Sequence, residues 1–237
     1  MDGFSTFFNL DALRDALIIA IPALICITVH ELAHGFTAFK LGDNTAKEMG
    51  RLTLNPIKHI DIVGLAMILL VGFGWAKPVP VNMQNFKHPK TYMAITAFAG
   101  PLSNILLAVV VMFIFFLLPA PYGGAQAFVG ILFAENVPLI SEMIFRMAMI
   151  NVMLAIFNLL PVPPLDGSKV LFSLLPTNMY NTLMKYERFG MLFILLLVFS
   201  GRFLNFDLFS ILIRQPTMVI FFSIAEFSQN VIGFFGG

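Results

Sequence analysis

The sequence predicts an all-α polytopic membrane protein with about four to six membrane segments, including a re-entrant segment, and with short membrane-associated β-strands. The chain of 237 residues is 59% hydrophobic and 11% charged, whereas about 25% of the residues in an ordinary soluble domain are charged. Several apolar runs approach or exceed the roughly 20 residues that a helix needs to cross a bilayer. We expect one membrane-embedded domain over residues 1–237, with a core of about 10–175 and C-terminal membrane segments at about 187–235.

Apolar runs and capping residues predict the long helices. The first begins near Asn9 or Asp11, either of which can cap it, and ends at about Leu41. Further membrane helices are predicted at 92–118 and 138–160, and one more span at about 187–213. Glu142 and Arg146, four residues apart with the acid first, predict an ion pair. Residues 216–235 fit either a span or a helix on the membrane surface.

Shorter segments lie between the first two long helices. Residues 62–75 form an apolar run of 14 residues broken by three glycines, which is short for a span and typical of a re-entrant segment. Residues 51–54 alternate in polarity like a short strand, and residues 77–81 indicate extended chain.

The distribution of basic residues predicts which connecting segments lie on the same side of the membrane. If residues 62–75 return to the side from which they enter, the segments 40–61, 76–91 and 161–188 share one side and contain ten Lys or Arg residues. Residues 1–10 and 119–137, on the other side, contain none. Because cytoplasmic loops carry an excess of Lys and Arg, the end of the first helix is predicted to face the cytoplasm.

A metal-binding motif lies in the last half of the first helix. His30-Glu31-Leu32-Ala33-His34 places two imidazoles four residues apart, hence on one helix face and about 6 Å apart along the axis. Together the two imidazoles can bind a single zinc ion, and Glu31 can take a proton from zinc-activated water. Cys26, the one cysteine, precedes His30 by four residues and is either a fourth ligand or, as is commoner in membrane helices, a packing residue.

A catalytic zinc needs a third protein ligand, for which Asp166 is the candidate. Pro161, Pro163 and Pro164 prevent a regular helix before it, so the sequence predicts Asp166 on extended chain just after a membrane helix. An acid at membrane depth indicates function. The alternative is an ordinary turn formed by Asp166 with Gly167.

The chain resembles the site-2 protease family of intramembrane zinc metalloproteases. That family combines HExxH on one membrane helix with an asparagine and a Leu-Asp-Gly sequence on a later one. In this chain the matching residues are Asn158 and Leu165-Asp166-Gly167. Three more stretches look like the family's core: Gly50-Arg51-Leu52, Pro78-Val79-Pro80-Val81 and Gly100-Pro101-Leu102-Ser103-Asn104. The resemblance covers about residues 10–175 and implies a minimal member without a PDZ or CBS domain.

By this resemblance, His30, His34 and Asp166 hold one zinc ion per chain, and Glu31 is the catalytic base and acid. The implied activity is hydrolysis of peptide bonds within or near the transmembrane segments of membrane-protein substrates.

Other polar residues have competing interpretations. Asn158 matches the family's asparagine that meets the developing oxyanion, or it forms interhelical hydrogen bonds with Asn104 or Asn151. His59 and His88 stand beside lysines in polar stretches and are interpreted as ordinary solvated or interfacial histidines rather than zinc ligands.

The expected partners are a single-span membrane-protein substrate and the lipid bilayer, with room for a regulatory partner. No basic tract suggests nucleic acid. A small chain of this kind fits the cell membrane of a prokaryote. The alternative function is zinc binding or zinc transport without proteolysis, although Glu31 has no required part in simple binding. A proteolytically inactive relative is a third possibility.

Overall fold

Helices account for most of the regular structure in the computed structural model, which describes residues 10–64, 76–133, 137–185, 187–203 and 207–236. In chain order they are α1 (Leu10–Lys40), α2 (Thr45–Glu48), α3 (Pro89–Leu117), α4 (Gly124–Leu132), α5 (Leu139–Asn158), α6 (Asp166–Ser173), α7 (Thr177–Lys185), α8 (Glu187–Phe203) and α9 (Gln215–Gly236). There are also 3₁₀ turns at Pro56–His59 and Met83–Asn85, and a π turn at Ser210–Arg214. The prediction of an all-α fold is confirmed in the described residues.

Within the described residues, four helical stretches are long and apolar enough to cross a membrane: Leu17–Lys40, Pro89–Leu117, Leu139–Asn158 and Ser210–Phe235. The first three lie in the predicted helices, whose ends differ from α1, α3 and α5 by at most three residues. The fourth contains residues 216–235, whose placement the sequence left open.

The span predicted at about 187–213 is not confirmed. The apolar part of α8, Leu192–Gly201, is shorter than a span. After α8 the Asp207 carboxylate accepts a hydrogen bond from the Ser210 N–H (2.9 Å), and the Ser200 hydroxyl accepts one from the Leu208 N–H (2.9 Å). These side chains take the backbone donors at the start of a new helical segment.

The long helices pack as a bundle with an aromatic core at one end. α1, α3 and α5 contact one another, and α9 packs on α3 and α5. Phe115, Phe145 and Phe221 are at most 4% exposed. The ring centroids of Phe145 and Phe221 lie 5.0 Å apart in an edge-to-face arrangement, which aromatic pairs prefer. Many of the phenylalanines are therefore packing residues of the core.

Charged side chains join α1 to α5 at the same end of the bundle. Arg14 Nη2 lies 3.0 Å from Glu142 Oε2. Arg146 donates two hydrogen bonds to Glu142 Oε1, at 2.8 and 3.1 Å. The predicted pair of Glu142 and Arg146 is therefore present, and the same carboxylate also holds the start of α1.

The short strand predicted at 51–54 is not confirmed, since the described residues form no β-ladder there, and residues 77–81, predicted as extended chain, pair with no strand either. Side chains take the backbone groups that a ladder would use. Arg51 Nη2 donates to the Lys77 carbonyl oxygen (2.8 Å), and the Val79 N–H donates to Glu31 Oε2 (2.7 Å). Most of the re-entrant segment predicted at 62–75 lies outside the described residues.

Candidate active site

His30 and His34 face the interior of the bundle from the last third of α1. They are 6% and 9% exposed, respectively, and their Nε2 atoms lie 3.0 Å apart. At 1.5 Å of rise per residue, the two residues lie about 15 Å and about 9 Å from the C-terminal end of the helix. The four-residue spacing therefore brings the imidazoles together inside the bundle rather than at its surface.

Asp166 completes the group from the start of α6. Its Oδ2 atom lies 3.2 Å from His30 Nε2 and 3.0 Å from His34 Nε2. The prediction of extended chain at Asp166 is wrong, because the prolines lie in the preceding loop and Asp166 is the first residue of the helix. A carboxylate in the first helical turn is stabilised by the helix dipole.

Gly167 lets α6 begin directly against the end of α5. A Cβ atom at position 167 would lie 2.2 Å from the Leu159 carbonyl oxygen and 2.5 Å from the Leu160 carbonyl oxygen. Both are main-chain atoms, so a larger residue would displace the helix. The glycine of the Leu-Asp-Gly sequence is therefore required by close packing.

The second carboxylate oxygen of Asp166 faces a lysine. Lys169 Nζ lies 3.8 Å from Asp166 Oδ1. Burial alone would raise the pKa of Asp166, but protonated imidazoles of His30 and His34 that donate to the carboxylate outweigh burial and lower the pKa below its ordinary value. Asp166 is therefore ionised at neutral pH, with one oxygen toward the imidazoles and one toward the ammonium.

A chain of side-chain amides fixes the tautomer of His30. It begins at the Met147 carbonyl oxygen, which can only accept and takes a hydrogen bond from Asn151 Nδ2 (2.9 Å). Asn151 Oδ1 accepts from Asn104 Nδ2 (2.9 Å), and Asn104 Oδ1 lies 2.7 Å from His30 Nδ1. Since Asn104 presents an acceptor, His30 Nδ1 carries the proton. The lone pair of His30 Nε2 is left for a metal ion.

The main chain fixes the tautomer of His34. Its Nδ1 atom donates to the Thr96 carbonyl oxygen at 2.7 Å, which leaves the lone pair on Nε2. Three acceptors, one from each of His30, His34 and Asp166, then lie within 3.2 Å of one another. They repel unless a cation separates them. Two imidazoles and a carboxylate are a donor set of catalytic zinc, whose bonds of about 2.0–2.2 Å suit this spacing.

Gly100 in α3 makes room for both imidazoles. A Cβ atom at this position would lie 2.4 Å from His34 Cε1 and 2.7 Å from His30 Cε1. Any larger residue would push α3 away from α1 or rotate the rings. Glycine is thus needed here for the close approach of the two helices.

Glu31 lies beside the metal ligands in the wall of a cavity of about 560 Å³. This volume is in the range of about 300–1,000 Å³ that is typical of ligand pockets. Besides the site residues, apolar side chains line the cavity, among them Ile27, Val81, Phe157 and Ile194. The half-buried Glu31 carboxylate accepts a hydrogen bond from the Val79 N–H.

Asn158 lines the same cavity from the end of α5. Its Nδ2 atom donates to the Leu154 carbonyl oxygen of its own helix (3.0 Å). Asn104 and Asn151, its partners in the alternative interpretation, bond to each other. Its role toward an oxyanion stays a prediction, and its place in the cavity wall is compatible with it.

The remaining candidate ligands lie outside the group of His30, His34 and Asp166. Cys26 is buried with Sγ 3.6 Å from the Met147 carbonyl oxygen, as expected of a packing residue. His88 is exposed. His59 lies outside the ligand group as predicted, but it is not solvated, because this side chain is 2% exposed and its Nε2 lies 2.9 Å from the Thr53 carbonyl oxygen.

Sequence reasoning missed the residues that support the ligands. Gly100 and Asn104 stand in the stretch that resembles the family's core, so a signal was present without an assigned role. Thr96 had no signal, because it acts through a carbonyl group that every residue type possesses. Asn151 and Lys169 also acquire their relation to the site only when the helices pack.

Comparison with known proteins agrees with this geometry. The family model described as Peptidase family M50 matches residues 17–200, which contain the three candidate ligands and Glu31. The chain belongs to peptidase family M50. This is the site-2 protease family that the motifs resemble. Membership in M50 and the four apolar helices identify an integral membrane protein.

Curated relatives of this M50 chain carry related names. YwhC of Bacillus subtilis, named as a proposed zinc metalloprotease, is 41% identical over 179 residues, which are 76% of this chain and 78% of YwhC. Rip2 of Mycolicibacterium smegmatis, named likewise, is 28% identical over 75% of this chain and 64% of Rip2. Rip2 of Mycobacterium tuberculosis is 27% identical over 73% of this chain and 63% of its own length. No solved structure matches the chain.

Proposed function

We propose that this M50 chain is an intramembrane zinc metalloprotease that hydrolyses peptide bonds within or near transmembrane segments of membrane proteins. The observation that carries the proposal is the buried group of His30, His34 and Asp166, whose three acceptor atoms converge beside Glu31 and a cavity. These three residues would hold one zinc ion. The names of the relatives, which describe zinc metalloproteases, support the same chemistry.

The side chains around the cavity have distinct parts in the proposed reaction. Bound zinc would supply a water of lowered pKa and would polarise the scissile carbonyl group. Glu31 would take the proton of that water and later deliver it to the departing amine. Asn158 would exchange its bond to the Leu154 carbonyl for one to the developing oxyanion on the substrate.

The proposed substrate is a single-span membrane protein that unwinds before it is cut, because a peptide bond inside a helix is shielded and already hydrogen-bonded. An extended segment can be held by strand addition along residues 51–54 or 78–82. Since the Val79 N–H is bound to Glu31, Val81 has the remaining backbone N–H between positions 78 and 81.

The first test compares wild type with Glu31→Gln in detergent or liposomes, on a panel of single-span substrates, with zinc content measured alongside. Glutamine keeps the size of the side chain but cannot accept the proton, so cleavage should fall by about 10²–10⁴-fold. Bound zinc should stay at one ion per chain. The matched control is Glu48→Gln, which changes an exposed glutamate of α2 and should leave both measurements unchanged.

Other outcomes contradict the proposal in distinguishable ways. An equal zinc content in wild type, Glu31→Gln and Glu48→Gln, with no cleavage of any substrate, would favour the alternative of zinc binding or transport. Zinc absent from all of them would remove the metal centre itself. Cleavage retained in Glu31→Gln would remove Glu31 as the general base.

A further inference from the structure

Residues 77–82, which we call the strap, lie across α1 next to the metal site. Gly35, one turn after Glu31, allows this contact, since a Cβ atom there would lie 2.9 Å from Val79 Cγ1 and 2.7 Å from Leu52 Cδ2. Pro78, Val79 and Val81 also line the cavity. The strap is therefore part of the wall that faces the candidate zinc ligands.

The strap offers Glu31 one backbone donor. Pro78 and Pro80 have no N–H, so Val79 has the one donor between them, and it binds Glu31 Oε2 at 2.7 Å. Val79 is only 7% exposed. Among the described residues, no hydrogen bond engages Glu31 Oε1. The main chain thus fixes one carboxylate oxygen and leaves the other for proton transfer.

The beginning of the strap is tied to the segment that follows α2. Arg51 Nη2 donates to the Lys77 carbonyl oxygen at 2.8 Å, and the Lys77 N–H donates to the His59 carbonyl oxygen at 2.9 Å. Arg51 is itself 6% exposed, and its N–H donates to the Ala46 carbonyl oxygen (2.8 Å). Both main-chain groups of Lys77 are therefore held by residues packed beside the end of α1.

The end of the strap is tied to Asp43, just after α1. The Asn82 N–H donates to Asp43 Oδ2 at 2.7 Å, and Asn85 Nδ2 donates to Asp43 Oδ1 at 2.7 Å. Burial of Asp43 would raise its pKa, but the hydrogen bonds from Thr45, Asn85 and Asn82 outweigh burial and lower the pKa. The tether is therefore ionised at neutral pH, and its hydrogen bonds are charge-assisted.

We propose that the strap positions Glu31 as the general base, and that Arg51 and Asp43 are positioning residues that act through it. This inference rests on the proposed proteolytic function and adds two residues that act on the general base through the strap. A glutamate side chain rotates about three bonds, whereas a short hydrogen bond to a strap tethered at both ends holds it in one place. A displacement of about 1 Å at a reacting group can cost about 10²-fold in rate.

Two substitutions at position 79 separate the N–H from the side chain. Val79→Pro removes the donor and keeps an extended backbone, whereas Val79→Ala keeps the donor and trims the side chain. We expect Val79→Pro to lower kcat by about tenfold to hundredfold, with little change in KM and with one zinc ion retained. Val79→Ala, which keeps the donor, should lose clearly less of kcat than Val79→Pro.

Variants of the distant tethers test whether they act through the strap. Arg51→Gln and Asp43→Ala should lower kcat in the same way as Val79→Pro and leave zinc content unchanged. Arg51→Lys, which can still donate to the Lys77 carbonyl group, should recover part of the loss. A merely structural arginine would instead lower the yield of folded protein without separating kcat from KM.

Hydrogen exchange tests the contact independently of proteolysis. A peptide that covers the strap contains few exchangeable amides, because Pro78 and Pro80 have none. The Val79 amide should exchange slowly in wild type and in Glu48→Ala, and faster in Glu31→Ala. If no substrate is ever cleaved but this pattern holds, the contact stands and the proteolytic function fails.

Three results would overturn the positioning role. Unchanged exchange in Glu31→Ala would show that the contact does not form in solution. A normal kcat in Val79→Pro would show that the contact does not matter for turnover. A higher kcat in Val79→Pro, Arg51→Gln or Asp43→Ala would show that the strap restrains the base instead of positioning it.

Discussion

Asn104 is the residue on which the orientation of His30 depends. It connects His30 Nδ1 to Asn151, and both asparagines are fully buried. A histidine ligand needs its second nitrogen held by such a partner, because the partner fixes both the tautomer and the direction of the ring. In this protein the partner is Asn104 of α3, which is held in turn by its hydrogen bond to Asn151 of α5.

Replacing Asn104 tests this dependence. Asn104→Leu removes the acceptor of His30 and leaves Asn151 without its donor, so the affinity for zinc should fall by about 10–100-fold. Asn104→Asp keeps an acceptor at the same place and should recover most of that affinity. Competition with a zinc-binding dye measures both variants. Equal affinity of Asn104→Leu and wild type would contradict the role of the amide chain.

The junction of α5 and α6 brings Asp166 opposite the two histidines. Asn158 ends α5, the proline-containing loop reverses the chain, and Gly167 packs on the main chain of Leu159. The third ligand is thus placed by the contact between two helices, and its position depends on how closely they meet.

Adding one methyl group at this junction should separate ligand and metal. Gly167→Ala places a Cβ atom 2.2 Å from a carbonyl oxygen that belongs to the main chain. Since α6 must then move, zinc affinity should fall by at least about tenfold. Gly233→Ala, at a position where no described atom lies within 4 Å of the added Cβ, should leave zinc affinity unchanged. Similar affinities for both variants would contradict the packing argument.

Elements that follow from local pattern were predictable, and those that follow from packing were not. α1, α3 and α5 are long apolar runs, and His30 and His34 share a helix face through their spacing alone. The helix at Asp166 escaped prediction because three prolines precede it. The strand at 51–54 was predicted from alternation, yet no β-ladder forms there, and the side chains of Arg51 and Glu31 bind backbone groups of the segment 77–81 that a neighbouring strand would pair.

At the scale of the whole molecule, charge is distributed unequally between the two ends of the bundle. The connections near the C-terminal end of α1 carry exposed lysines, including Lys40, Lys47, Lys58 and Lys77. At the opposite end, Arg14 and Arg146 both lie against Glu142. Among the described residues, the larger number of exposed lysines is thus at the end nearer the metal site, which supports the proposed cytoplasmic orientation of that end.

Labelling of single cysteines tests this orientation. Cys26 is fully buried, so Cys26→Ala gives a background to which Glu48→Cys or Gln126→Cys is added, both at exposed positions. In intact cells a membrane-impermeant maleimide should label Gln126→Cys and not Glu48→Cys, and inverted vesicles should show the reverse. Labelling of Glu48→Cys in intact cells would contradict the proposed orientation.

The two ligand histidines differ in whether a substitution can remove the hydrogen-bond acceptor of their Nδ1 atom. The carbonyl oxygen that holds His34 belongs to the main chain of Thr96, and no codon change at that position can delete it. The oxygen that holds His30 belongs to a side chain, and a single codon change can remove it. Under random mutagenesis, losses of zinc that arise from a missing hydrogen bond to a ligand histidine should therefore accumulate at Asn104 and Asn151, and no substitution at Thr96 should cause such a loss by removing the acceptor of His34.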